Sequence, residues 1–331
     1  MGFKPSRTLL FLIGIVILII SMLFSLRVGA VSIGFETIYQ SFISHSNKQN
    51  ILIVQDLRLP RTIIAVVIGA SLGIAGAIMQ GITLNPLASP QIFGINSGAS
   101  LAVVIGLVLL PGISPDLIVY FAFAGAVLGG SIVYYLAATG GTSSPVKLAL
   151  AGITVHLFLS AIIEGLVLFH EDSTENVLFW LAGAIDGASW DDVRIVLPWA
   201  VIGITLAFIF ARQLTTLGLG EDMAQGLGIN VAVIRLFFSF LVIILAGASV
   251  AVAGPIGFIG LIIPHIVRRL VGVDYLFIIP FSALFGAILL VTADVFSRFI
   301  AFPAESPVGI VTALIGAPYF LYLARKGGTI Q

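Results

Sequence analysis

TIIAVVIGASLGIAGAIMQGITLNPLASPQIFGINSGASLAVVIGLVLLPGISP, residues 62–115, contains no Asp, Glu, Lys or Arg. A helix needs about 20 apolar residues to cross the ~30 Å hydrocarbon core of a bilayer, so a run this long holds two crossings. Asn85-Pro86-Leu87-Ala88-Ser89-Pro90 marks where they separate, because its two prolines disfavour continued helix. A second charge-free stretch, 236–267, is interrupted at Gly254-Pro255, with Gly257, Gly260 and Pro264 close behind. Irregular backbone at membrane depth is tolerated only where protein buries it or where it lines a cavity. Both interruptions are therefore expected inside the molecule.

Outward from these stretches, charges punctuate the rest of the chain into apolar runs of similar length. Ten spans are expected, near 8–26, 61–83, 94–111, 116–138, 148–169, 193–212, 232–253, 255–267, 275–297 and 307–324. With 59% hydrophobic and 9% charged residues in 331, the composition is far from the ~25% charged content of soluble domains. The fold class read from this is an all-α polytopic membrane protein, a single transmembrane domain over 1–331. Lys4 and Arg7 before the run to Leu26, with Val28-Gly29-Ala30 after it, imitate a secretory signal. The length of the run and the many similar runs behind it favour a first retained helix.

Charge placement orients the spans. With both termini cytoplasmic, the inner segments hold Lys4, Arg7, Lys147, Arg212, Arg235, Arg268, Arg269, Arg325 and Lys326 against Glu221, Asp222 and Asp274. Lys and Arg thus accumulate inside, as the positive-inside rule requires. Arg27, Lys48, Arg58, Arg61, Arg194 and Arg298 fall outside and need separate reasons. The segment Gly69–Gly76, GASLGIAG, recurs as Gly247–Gly254, GASVAVAG, in spans that run in opposite directions. Two readings stay open: an inverted repeat, or small-residue faces that look alike because both allow close helix packing.

Little in the chain speaks for catalysis. Cysteine is absent, and His45, His156, His170 and His265 are scattered, with no spacing for a metal site. No phosphate-binding GxxxxGK[ST] loop occurs, so nucleotide energy would have to come from another chain. The zero net charge gives no sign excess for nucleic acid. Proton-coupled transport needs ionisable groups within the membrane, and only Glu164, with His156 two turns before it, and Asp294 qualify. Glu164 lies near the outer surface and reads best as an acid facing a wet vestibule or a polar neighbour. Arg58, Arg61 and Arg298 each sit at the outer end of a span. By residue type they read as snorkelling, or as paired with Asp56, Asp294 or Glu305, ahead of forming a cationic rim.

GEDMAQGLGIN, residues 220–230, is a polar island between two spans on the cytoplasmic side. Glu221 and Asp222 suit a helix N-terminus, Met223, Ala224 and Gln225 continue it, and Gly226 or Gly228 can end it. Met223 and Leu227, four apart, would share one side and suit docking into a partner's groove.

Taken together, these stretches resemble the permease family of ABC importers for iron-siderophores, haem and cobalamin. The resemblance is carried by Arg58-Leu59-Pro60-Arg61; Gly76–Gln80 running into Asn85-Pro86-Leu87-Ala88; Ile92–Ala99; Glu221–Gly228; GPIGFIGLIIPHIVR, 254–268; and DVFSRFIAFPAESPVGIVTALIGAP, 294–318. It implies a transport subunit of the cell membrane that is not itself an enzyme. Its partners would be two cytoplasmic ATP-binding subunits, an extracytoplasmic siderophore-binding protein and a second permease subunit, identical or paralogous. By the same resemblance Glu221–Gly228 is the helix that couples to the ATPase, and Arg58, Arg61 and Arg298 grip acidic residues of the binding protein. The pathway is expected mainly along the second span, with the fifth and eighth contributing. Its residues would include Met79, Gln80, Gly254, Pro255 and Gly257, with an inner gate around Ser143 and Ser144; Asn85 and Pro86 more readily shape a bend. The cargo implied is a ferric siderophore, with cobalamin or haem as the alternative. An ion-coupled secondary transporter is the alternative from another class. No resident cofactor is implied.

Overall fold

The computed structural model describes residues 6–29, 31–43, 49–110, 112–138, 145–170, 174–302 and 304–326, and all regular structure among them is helical. From the N-terminus come α1 (Arg7–Arg27), the short α2 (Phe35–Ile43) and α3 (Gln49–Leu52), and a π-helical turn (Ile53–Arg58) leading into α4 (Leu59–Ile82). Next are α5 (Ile95–Leu109), α6 (Pro115–Ala138), α7 (Pro145–Phe169), α8 (Thr174–Leu181), α9 (Trp190–Ile209) and α10 (Ala211–Leu217). The six-residue α11 (Glu221–Gly226) precedes α12 (Val231–Ala253), α13 (Ile259–Val271), α14 (Tyr275–Ile300) and α15 (Val308–Lys326).

All ten expected spans are present as helices, but they are not equal. Among the described residues seven are long and apolar enough to cross a membrane, while α5 and α15 are shorter apolar helices. The expected span at 255–267 is corrected more strongly. Residues 254–257 carry no helix, and α13, with 13 residues, reaches only about 20 Å.

Helix α4 lies at the centre, buried over nearly its whole length. Its closest neighbour is α14, and small residues let the two backbones touch: a Cβ on Gly69 would collide with Gly286 O, and one on Gly286 with Gly69 O. Gly98 of α5 and Gly125 of α6 meet in the same reciprocal way, and Gly76 of α4 meets Gly260 of α13. Hydrocarbon solvates leucine as well as another helix does, so close van der Waals contact of this kind is what holds membrane helices together.

Helix neighbours repeat within the chain. α4 packs on α14 and α13 as α12 packs on α6 and α5; α5 packs on α6 and α7 as α13 packs on α14 and α15. The short helix in each set starts from a left-handed residue, Gly94 at φ 68° and Phe258 at φ 69°. The end of α4 adjoins the start of α12, so these corresponding helices run in opposite directions. Both readings of the GASLGIAG match therefore hold: the segments occupy corresponding helices of an inverted repeat, and in α4 the small residues are where the backbones pack.

Candidate functional site

At the inner end, α11 is framed by two left-handed glycines, Gly220 at φ 106° and Gly228 at φ 82°. Ala224 is fully buried and anchors the helix, while Met223 and Leu227 are 59% and 66% exposed. Gln225 and Gly226 are exposed beside them. The helix is also wired to its surroundings. Arg235 of α12 donates to Glu221 Oε1 at 2.6 Å and, through Nε, to Ile82 O at 3.3 Å, which joins α11 to the end of α4. One layer further, Arg268 of α13 donates to Gln80 Oε1 at 2.5 Å and to Tyr275 Oη at 3.2 Å. Thr215 of α10 accepts from Tyr275 N at 2.9 Å and donates to Asp274 Oδ1 at 3.1 Å. In the sequence Arg235 and Arg268 add to the inside excess of positive charge; the structure gives them bonding partners on neighbouring helices. Arg235 falls in the second turn of a span, and a cation at such a depth has to find a partner.

The residues expected along a pathway separate into three groups. Met79 and Gln80 are buried in the core; Gln80 Nε2 donates to Leu261 O at 3.1 Å, so its side chain joins α4 to α13. Asn85 and Pro86 are exposed in the turn after α4, where Asn85 Oδ1 accepts from Leu87 N at 2.9 Å and closes the bend. Gly254, Pro255 and Gly257 form the non-helical lead into α13. Gly254 adopts φ 65°, and a Cβ there would collide with Trp180 O. Ala184 N donates to Ala253 O and Gly309 N to Gly183 O, each at 2.9 Å, so the 183–184 turn ties the end of α12 to the start of α15 beside the interruption. Ser143 and Ser144 lie outside the described residues.

The outer end differs from a rim of free cations. Arg58, Arg61 and Arg298 are only 7%, 7% and 4% exposed. Arg58 donates to Leu26 O and Arg27 O, both at 2.8 Å, and to Val31 O. Arg298 donates to Ser25 O at 2.8 Å and Val28 O at 2.6 Å, and pairs with Asp294. Helix ends leave four carbonyls without intrahelical partners, and these two arginines cap the end of α1. Arg61 pairs with Asp294 at 2.8 Å and with Glu305 at 2.5 Å. The three cations form a buried clamp joining α1, α4 and α14, because a guanidinium removed from water needs charged or hydrogen-bonding partners; of the Arg298 nitrogens, Nε alone has none among the described residues. Asp294, 0% exposed and held by two arginines, is structural here.

Inner cations and outer clamp thus stand at opposite ends of a polytopic bundle, with the exposed Met223 and Leu227 of α11 at the inner end. The sequence profile of the FecCD transport family matches residues 17–326. The chain belongs to that family. Among its relatives, the Fe(3+)-citrate import system permease protein YfmD of Bacillus subtilis is 56% identical over 99% of this chain and 98% of its own length. The iron(3+)-hydroxamate import system permease protein FhuB of the same organism is 45% identical, covering 95% of this chain and 82% of its own. A solved metal-chelate type ABC transporter in an inward-facing conformation superposes with a TM-score of 0.83 at 28% identity, covering 96% of this chain and 99% of that one. As a FecCD-family member, this chain is a multi-pass component of plasma-membrane transport and not an enzyme.

Proposed function

We propose that this chain is the permease subunit of an ATP-driven importer that carries a ferric chelate of the siderophore or ferric-citrate class into the cell. Two ATP-binding subunits would sit beneath it, a chelate-binding protein above it and a second permease subunit, identical or paralogous, beside it. The observation that carries the reading is α11: a short helix that is pinned by Glu221 and Ala224 on one side and exposes Met223 and Leu227 on the other. Such a helix fits a cleft in an ATPase and transmits that subunit's movement, since Arg235 ties it to α4. Docking of the binding protein at the outer end is proposed through Arg61. Its partner Glu305 has a side chain 30% exposed, and a carboxylate of the incoming protein can take that place.

Uptake of radioactive iron as ferric citrate and as a ferric hydroxamate, in liposomes holding the assembled transporter, tests the proposal. Uptake that needs internal ATP and the binding protein is the expected result. Uptake by this chain alone, driven by a proton gradient, overturns it.

A further inference from the structure

Helix α2 follows the outer end of α1 with one of its sides uncovered. At 3.6 residues per turn, Phe35, Tyr39, Phe42 and Ile43 fall within an arc of about 100°, and each is more than half exposed. Ile38 and Ser41, on one flank of that arc, are buried: Ile38 joins Leu26, Ile33 and Val54 in a small core, and Ser41 O accepts from Gln55 Nε2 at 2.6 Å. Glu36 and Gln40 lie on the other flank, where Gln40 Nε2 donates to Glu36 Oε1 at 3.3 Å. The helix thus has three sides, one against protein, one apolar and one polar.

Its place beside α1 is fixed. Ile33 N donates to Arg27 O at 3.0 Å, Arg58 holds Val31 O, and Arg27 Cζ lies 4.7 Å from the centroid of the Phe35 ring. Arg27 is exposed, and among the described residues no carboxylate pairs with it. α1 itself exposes Leu12, Val16, Ile20 and Phe24, and as a span it turns them to hydrocarbon. The Arg27–Phe35 contact joins the outer end of that lipid-facing helix to the first residue of the apolar arc. A transient protein partner would return the arc to water each time it departed, whereas lipid is always present. Helices that lie in a membrane interface sink an apolar side of this kind roughly 5–10 Å into the boundary between headgroups and acyl chains.

We propose that α2 docks on the outer leaflet of the membrane. Phe35, Tyr39, Phe42 and Ile43 turn toward the acyl chains, Glu36 and Gln40 face water, and Arg27 sits at the level of the lipid phosphates. Arg27, an outside cation against the usual bias, thereby gains its reason. The surface goes beyond the importer reading, since it needs neither cargo nor ATPase.

The chain has no cysteine, so a fluorophore can be placed at one position at a time, and exposed side chains can be replaced without disturbing the core. With the full chain in nanodiscs of phosphatidylcholine and phosphatidylglycerol, labels at Tyr39→Cys and Phe42→Cys should be quenched by lipid carrying a nitroxide near the top of its acyl chain at least threefold more than a label at Glu36→Cys. Aqueous iodide should rank the three in reverse. Equal quenching at all three positions, or strong iodide quenching of the Tyr39→Cys and Phe42→Cys labels, overturns the proposal. Shielding of those two labels from both quenchers overturns it in favour of a second copy of the chain, and iodide quenching that ends only when the binding protein is added overturns it in favour of that partner. At Arg27→Cys a nitroxide on the lipid headgroup should quench more than one on the acyl chain, and the opposite order overturns the placement of Arg27.

Discussion

Arg235 and Glu221 stand 2.6 Å apart at the inner face, and the same guanidinium reaches Ile82 O at the end of α4. These two bonds connect α11 to the base of α12 and the end of α4. Glu221 is 43% exposed in its side chain, so the pair adds about 1 kcal/mol or less to stability. Its replacement should act on transport more than on folding. Glu221→Gln is expected to reduce uptake per inserted transporter about tenfold while membrane abundance stays within twofold. Uptake at the wild-type rate would remove Arg235 from the transmission route.

Asp294 behaves in the opposite way. It is fully buried between Arg61 and Arg298, and removing one partner of a buried pair costs about 3–5 kcal/mol because the remaining charge is left uncompensated. Asp294→Ala should lower the thermal midpoint of the detergent-solubilised protein and reduce its abundance. A fully stable Asp294→Ala variant would mean that the clamp is not structural.

Glu305 offers a way to test docking without breaking the clamp. Arg61→Glu would set a new carboxylate against Asp294 and Glu305 and disturb the fold, whereas Glu305→Gln only weakens the hold on one Arg61 nitrogen. Docking of the binding protein to Glu305→Gln should tighten several-fold at low salt, with the gain shrinking as ionic strength rises. Unchanged affinity at every salt concentration would leave the three arginines as a brace alone.

Gly226 and Gly228 separate contact from conformation. Nothing lies within 4 Å of a Cβ on Gly226, so Gly226→Trp should fold normally while its side chain projects where the ATPase is proposed to sit. Uptake and ATPase stimulation by the binding protein should both be lost. Gly228 holds φ 82°, where a side chain costs roughly 1–2 kcal/mol, so Gly228→Ala should lower thermal stability instead. Identical outcomes for the two variants would contradict the distinction.

Charge-free apolar runs located the ten segments expected to span and the polar island, with the eighth displaced to Ile259–Val271, because a bilayer dictates the length and apolarity of anything that crosses it. α4 was expected at 61–83 and runs Leu59–Ile82; α12 was expected at 232–253 and runs Val231–Ala253. The GASLGIAG match likewise pointed to helices that prove to correspond. Tertiary structure decided how each polar side chain is used. By residue type Arg58 and Arg298 read as snorkelling or paired with acids, and the structure adds the carbonyls at the end of α1 as their partners; Gln80, expected along the pathway, is buried and bonded to α13. The hydrogen bond between Ser97 and His156 joins residues 59 positions apart, one on each of two helices. Apolarity is written along the chain, but the partners of a buried charge or a polar side chain are set by helix packing, which joins residues that the sequence keeps apart.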